Sequence, residues 1–402
     1  MPIADAIREA QSKGSWIRKM FEEGALLKQR HGAAKVFDFS IGNPDIEPPR
    51  AFHEVLVRLA AEDAAGSHGY MPNAGFPDVR AKLAAKVSAE HGIAVEGKHL
   101  TMTVGAAGGL NVVLKSVLNP GDEVVVVKPY FVEYGAYIAN HGGKMVLVDA
   151  AADFGLDVPA LAAALTPRTA AVLINSPHNP TGRVYPAAAI SALAAALEAH
   201  GRRSGRKPYL IADEPYREIV YDGLSVPPVL SAYAEAIVAT SYSKSLSLPG
   251  ERIGYIAVNP AADAVEELLG ALAYSTRVLG YVNAPALMQR AVAELVGARV
   301  EVEVYARRRA AFQAVLDAAG IEYSRPEGAF YLFCKVPPKR AGAAGTGDDI
   351  EFVQFLKDQL ILAVPGTGFG APGWFRLAYC VDEASIRGSG PGFKAALAAW
   401  RA

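Results

Sequence analysis

Between about residues 98 and 260 the chain alternates short apolar runs with helix-like stretches, and this alternation constrains the fold more than any other feature. The runs fall at 100–104, 123–127, 145–148, 170–174, 209–212, 236–239 and 253–258. Ala- and Leu-rich segments with helical character, such as 187–198, lie between several of them. Strands separated by helices pair through crossovers, not hairpins. The pattern therefore predicts an α/β fold, a three-layer α/β/α large domain with a mainly parallel mixed sheet. Sheets of this kind bind ligands in the crevice beyond the carboxyl ends of their strands, so the residues that follow each run are the ones to read.

The flanks read differently. Residues 1–40 are expected to be helical and then extended at 36–41, and 285–317 carries one long helical pattern. Short strands are expected at 328–336, 361–364 and 374–379, an amphipathic helix at 349–360 and an exposed loop at 339–348. The expected division is a large domain over 46–290 and a smaller α+β domain built from 1–45 and 291–402. Gly388-Ser389-Gly390-Pro391-Gly392 leaves the conformation of 385–392 open.

Composition removes several function classes. Forty Lys and Arg against 41 Asp and Glu leave a net charge of -1, without the basic excess of a nucleic-acid binder. The clusters Arg202-Arg203 and Arg307-Arg308-Arg309 are expected to be solvated surfaces. Cys334 and Cys380, both flanked by apolar residues, suit buried reduced thiols and a cytoplasmic setting. The N-terminal segment spaces Ile3, Ile7, Trp16, Ile17, Met20 and Phe21 among charges, unlike a secretory signal. No apolar stretch is long enough to span a bilayer, so no membrane role is expected. H-E-x-x-H, C-x-x-C and G-x-S-x-G are all absent, and no metal site is expected. Gly366-Thr367-Gly368-Phe369-Gly370 has the look of a dinucleotide loop, but a proline precedes it and no helix-period run follows.

Five strand ends carry chemistry. The first run enters a helical pattern through Gly105-Ala106-Ala107-Gly108-Gly109, a turn that presents backbone N–H groups to an anion or merely lets helix and strand pack closely. The second leads into Tyr130-Phe131-Val132-Glu133-Tyr134, aromatics suited to stacking on a planar ligand or to filling the core. The fourth ends in Asn175-Ser176-Pro177-His178-Asn179-Pro180-Thr181-Gly182, a rigid turn with Asn179 placed to donate to a ligand. The fifth ends in Asp213-Glu214-Pro215-Tyr216; Asp213 is either a helix N-cap or a buried carboxylate that needs a cation. The sixth reaches Ser241-Tyr242-Ser243-Lys244, with Arg252 eight positions on, combining an amine with phosphate ligands.

These motifs resemble those of the class I/II aminotransferases of the type I fold of pyridoxal-phosphate enzymes, the aspartate aminotransferase-like family. The likeness covers nearly the whole chain. It rests on Asn179-Pro180-Thr181-Gly182, Asp213-x-x-Tyr216, Ser241-x-Ser243-Lys244 and Arg252, which occur in the family's order. Ser40-Ile41-Gly42-Asn43-Pro44, Gly69-Tyr70 with Gly75, Pro365-Gly366 and Phe375-Arg376-Leu377 add to it. Ala378 stands where the family leads one to expect serine.

The resemblance implies roles. Lys244 would carry pyridoxal 5'-phosphate as a Schiff base and then act as the base at the substrate Cα. Asp213 would hold the ring nitrogen protonated, while Tyr216 and Asn179 bond the phenolic oxygen. Ala106, Ala107, Ser241, Ser243 and Arg252 would hold the phosphate, with Phe131 stacked on the ring. Arg376 would clamp the substrate α-carboxylate, aided by Gly42 and Asn179. Tyr70 would reach the phosphate of a neighbouring subunit, implying a homodimer with shared sites. The expected reaction moves the amino group of an L-amino acid to a 2-oxo acid, with 2-oxoglutarate the expected acceptor. Two alternatives remain: a β-eliminating C–S lyase using the same residues, and a non-catalytic effector-binding module, which would need a DNA-binding domain that residues 1–40 are too short to form. Side-chain specificity is not legible. An acidic substrate would need a second cation, and no residue declares itself as one.

Overall fold

The structure is a computed structural model that describes residues 3–5, 7–8, 16–62, 65–340, 342 and 345–402. Part of the expected helical segment at 1–40 and part of the expected loop at 339–348 therefore lie outside the described residues. In chain order, β1 is Phe37–Asp38, β2 Leu100–Thr103, β3 Glu123–Lys128, β4 Lys144–Asp149, β5 Thr169–Asn175, β6 Tyr209–Asp213, β7 Ala236–Ser241 and β8 Gly254–Val258. The seven apolar runs become β2 to β8, and these form a single mixed sheet ordered β2-β8-β7-β6-β5-β3-β4. Every pairing in it is parallel except those of β8, which runs against both β2 and β7.

The sheet is buried on both faces, and the period of two divides its side chains between them. Val125 and Val127 of β3 join one apolar cluster with Leu83 of the helix Pro77–His91 and Leu193 of the helix Ala187–Ser204. Val124 and Val126 join the other, with Leu110 and Leu114 of the helix Gly105–Val117 and Leu272 of the helix Val265–Val278. Helices therefore cover both faces.

Five short strands follow in the C-terminal part: β9 Tyr323–Ser324, β10 Tyr331–Lys335, β11 Ile361–Leu362, β12 Val364–Pro365 and β13 Trp374–Ala378. Four make an antiparallel sheet ordered β12-β13-β10-β9, and β11 pairs in parallel with β1. A third apolar cluster packs here from both ends of the chain, Met20 and Phe39 meeting Phe312, Phe333, Phe375 and Trp400. The Phe39 and Phe312 ring centroids are 4.6 Å apart.

One C-terminal expectation needs adjustment. The helical pattern over 285–317 is two helices, Ala286–Glu294 and Val302–Ala319. Gly297 takes a φ of 89°, which breaks the helix, and the Val300 N–H donates to the Ser245 carbonyl at 2.8 Å. Leu295 and Val300 are both buried, so the apolar spacing continues across a break that the backbone makes. At 388–392 the chain forms a joint between the helices Glu383–Gly388 and Gly390–Arg401. Pro391 sits in the first turn of the second helix, where its missing N–H costs no hydrogen bond.

Candidate active site

The carboxyl ends of β5, β6 and β7, with the segments that follow β2 and β3, surround a cavity of about 280 Å³. It is lined by Gly42, Ala106, Ala107, Phe131, Asn179, Asp213, Tyr216, Ser241, Ser243, Lys244, Arg252 and Arg376. Every residue to which the resemblance gives a role is among these except Tyr70. Tyr70 stands away from the cavity of its own chain, 94% exposed.

Strand order explains the convergence. Because β8 runs antiparallel, its first residue, Gly254, lies beside both Ser241 at the end of β7 and Thr103 at the end of β2. Arg252, two residues earlier, is thereby returned to the helix N-terminus that begins at Gly105. Gly105 has a φ of 68°, and a Cβ there would lie 2.8 Å from Arg252 Nη2. A side chain there would strain the backbone and push the guanidinium away from the start of the helix Gly105–Val117. The free N–H groups of that helix end, the Arg252 cation and the hydroxyls of Ser241 and Ser243 together make a site for a dianion.

Asp213 ends β6 and is 6% exposed. Its Oδ2 accepts a 2.6 Å hydrogen bond from the Tyr134 hydroxyl, and its Oδ1 has no partner among the described residues. Burial pushes its pKa up to about 7, against the opposing pull of the Tyr134 bond. The N-cap alternative fails, since the chain continues from β6 into a turn and Oδ1 stays in the cavity wall. A buried carboxylate with one free oxygen is the complement of a cationic N–H. Asn175 braces this corner: its Nδ2 donates to the Asp213 carbonyl at 2.8 Å and its Oδ1 accepts from the Asn179 N–H at 2.7 Å.

Lys244 projects from the single helical turn Tyr242–Ser245 after β7. Its Nζ donates to the Gly42 carbonyl at 2.7 Å and lies 5.4 Å from the centre of the Phe330 ring. Burial lowers its pKa to about 8, helped by the positive fields of Arg376 and Arg252. An amine in this state is available as a nucleophile near neutral pH. Gly42 is itself pressed against Tyr331, whose hydroxyl would lie 2.0 Å from any Cβ at that position.

Arg376, on β13, is 2% exposed. Its Nη1 donates to Asn179 Oδ1 at 3.1 Å and its Nη2 to the Ser40 carbonyl at 2.7 Å, while its cationic plane lies 4.6 Å from the Tyr331 ring centre. The Tyr331 and Tyr216 hydroxyls share a 2.7 Å hydrogen bond. A guanidinium held by neutral partners alone keeps its full charge for an incoming carboxylate.

Sequence reasoning left Tyr134 undecided between pocket and core. It is buried, but its hydroxyl serves Asp213. Tyr130 packs against the second apolar cluster and does not line the cavity. Tyr331, Asn175, Glu133 and Tyr137 line it and were missed as site residues. Tyr331 follows Ala329-Phe330 in an apolar strand that reads as core, while Asn175 and Glu133 stand in motifs already noted. Among the described residues no helix is long and apolar enough to cross a membrane, and no cluster of His, Cys, Asp and Glu could hold a metal ion.

The sequence model of the family described as aminotransferase class I and II matches residues 34–388. An aspartate/prephenate aminotransferase of Thermus thermophilus is 32% identical over 369 residues, covering 90% of this chain and 91% of that protein. Among solved structures, an aminotransferase from Eubacterium rectale superposes with a TM-score of 0.94 at 36% identity, covering 100% of both chains. The aspartate aminotransferase of Thermus thermophilus, solved with maleate, gives a TM-score of 0.87 at 29% identity over 98% of this chain and 100% of that one.

Proposed function

Because the chain belongs to the class I and II aminotransferases and is an aminotransferase, we propose that its cavity holds pyridoxal phosphate on Lys244 and passes an amino group from an L-amino acid to a 2-oxo acid. The aspartate aminotransferases among its relatives make 2-oxoglutarate the first acceptor to assay. One observation supports this above the others: a buried carboxylate with an unpartnered oxygen, Asp213, lines the same cavity as a buried lysine of lowered pKa. Amine, anion cradle and free carboxylate oxygen fit the aldehyde, the phosphate and the ring nitrogen of that cofactor.

When bound, the cofactor supplies an electron sink for the bond broken at the substrate Cα. The chain's own residues do the rest. Ala106 and Ala107 N–H, the Ser241 and Ser243 hydroxyls and Arg252 take the phosphate. Phe131 covers the ring, Asp213 pairs with its nitrogen, and Tyr216 with Asn179 bonds its phenolic oxygen. Arg376 fixes the α-carboxylate through a planar fork and so orients the Cα–H bond. Lys244 would serve as the base that moves a proton between the substrate Cα and the cofactor's C4′ carbon, a task its lowered pKa suits. Tyr70, exposed on the single chain, would serve the phosphate of a second copy in a homodimer.

The test is to load the protein with pyridoxal phosphate and follow its visible absorbance. A single turnover with an amino acid should discharge the band, and a 2-oxo acid should restore it. Failure of the protein to colour, with no borohydride trapping at Lys244, would reject the proposal; release of ammonia and pyruvate would indicate elimination instead. Since the Lys244 amine is lowered to about 8, loading should accelerate as the pH rises from about 7 to about 9 and level off above, because only the neutral amine attacks the aldehyde. A loading rate that falls over this range would contradict the assignment. Arg376→Lys keeps the charge and loses the fork, so the amino-acid KM should rise by about 10- to 100-fold with a smaller change in kcat.

A further inference from the structure

Tyr331 lines the cavity, and none of the roles above uses it. It is 2% exposed. Its hydroxyl and that of Tyr216 share a 2.7 Å bond, the one hydrogen bond that either side chain makes among the described residues. Gly42 leaves room for this hydroxyl, since a Cβ there would lie 2.0 Å from it. On the other side the Arg376 guanidinium lies 4.6 Å from the centre of the Tyr331 ring. Gly42, Arg376 and Tyr216 together fix where the hydroxyl sits.

A phenol has one proton to give. In the proposed function the cofactor's phenolic oxygen is an anionic acceptor, and Asn179 and Tyr216 are assigned to it. Asn179 is already turned for that task. Its Oδ1 accepts from Arg376 Nη1 at 3.1 Å, which leaves its amide N–H groups for the cavity. Tyr216 can give its proton to the cavity only if the proton in its bond to Tyr331 belongs to Tyr331. The acidities agree with that direction. Burial raises both phenols, Tyr331 to about 12 and Tyr216 well above the usual value. The bond they share lowers the first and raises the second, so Tyr331 is the stronger acid and the better donor.

We propose that Tyr331 is a positioning residue: its hydroxyl donates to Tyr216, so that Tyr216 presents its own proton to the phenolic oxygen of pyridoxal phosphate. This rests on the proposed function, which puts that oxygen beside Tyr216. Hydrogen bonds relayed through a buried chain strengthen one another. When the Schiff base at Lys244 loses its proton, the phenolic oxygen loses an internal partner and draws harder on Tyr216. Tyr331 thereby holds the Schiff-base pKa down.

The experiment compares the wild type with Y331F, Y216F and the double variant. Phenylalanine at 331 keeps the ring on Arg376 and removes only the hydroxyl. The first readout is the Schiff-base pKa, taken from the visible band of the cofactor-loaded protein titrated with pH. The second is calorimetric binding of pyridoxine 5'-phosphate to the cofactor-free protein. That compound carries the phenolic oxygen and has no aldehyde to react with Lys244. Y331F should raise the Schiff-base pKa by about 0.3 to 1 and weaken pyridoxine phosphate by about 2- to 10-fold, the span of one net hydrogen bond. In the Y216F background the same substitution should add nothing to either. An effect of equal size with and without the Tyr216 hydroxyl would overturn the proposal, and so would no effect at all. If Lys244 captures no aldehyde, the proposed function fails, and the pyridoxine phosphate comparison still reads Tyr331 on its own. If pyridoxine phosphate does not bind either, both fall.

Discussion

Replacing Lys244 by alanine is expected to lower the transamination rate by on the order of 10⁵-fold or more, the scale of loss when a covalent enzyme loses its nucleophile. The size follows from the number of tasks that fall on one amine. Lys244 is the only lysine lining the cavity among the described residues, so no neighbour can replace it as covalent link or as Cα base. The chain should still fold, since the side chain contributes one hydrogen bond, to the Gly42 carbonyl, and removes a buried amine that is expensive to charge. The phosphate cradle, built from Ala106, Ala107 and Arg252, is intact in such a variant, so the cofactor should still bind reversibly. Borohydride followed by peptide mapping should label position 244 in the wild type and nothing in the variant. A variant retaining even a hundredth of the wild-type rate would remove Lys244 from the mechanism.

The second large effect is expected at Asp213. Asp213→Ala should lower kcat by about 10²- to 10⁴-fold, the equivalent of the roughly 3–5 kcal/mol lost when one partner of a buried charge pair is removed. The same variant should lose cofactor more readily on dialysis. Asp213 has a pKa raised to about 7 while its Oδ1 has no partner. A cationic ring nitrogen beside it would pull that value down, and by linkage the carboxylate raises the nitrogen's own pKa. Asp213→Asn retains an oxygen for the Tyr134 hydroxyl and loses only the charge. It should therefore resemble the alanine variant in rate and the wild type in thermal stability. Normal activity in Asp213→Asn would show that the charge is irrelevant.

Both of these residues could be found without coordinates, because each sits at the end of an apolar run with a distinctive neighbour: Tyr216 three residues after Asp213, and Ser241 and Ser243 before Lys244. All seven runs became strands of the central sheet, with ends shifted by a residue or two. Apolar periodicity and turn chemistry are local, and burial on both sheet faces enforces them strictly. The single helix expected over 285–317 failed for the complementary reason. Leu295 and Val300 keep the apolar spacing, while Gly297 and the Val300 bond to Ser245 break the backbone, and that partner lies 55 residues away in sequence.

The amino-acid order alone determined the layered α/β plan and the set of groups that gather at the strand ends, since those depend on neighbours along the chain. The fold alone decided that Arg252 returns to the Gly105 helix through the reversed β8, that the core residue Tyr134 also gives its hydroxyl to Asp213, and that Tyr331 bridges Gly42, Tyr216 and Arg376. It also decided that the Glu133 carboxylate lines the cavity without capping its own helix. Contacts of this kind depend on which strands lie side by side and in which direction, and strand order is set by packing across the whole sheet.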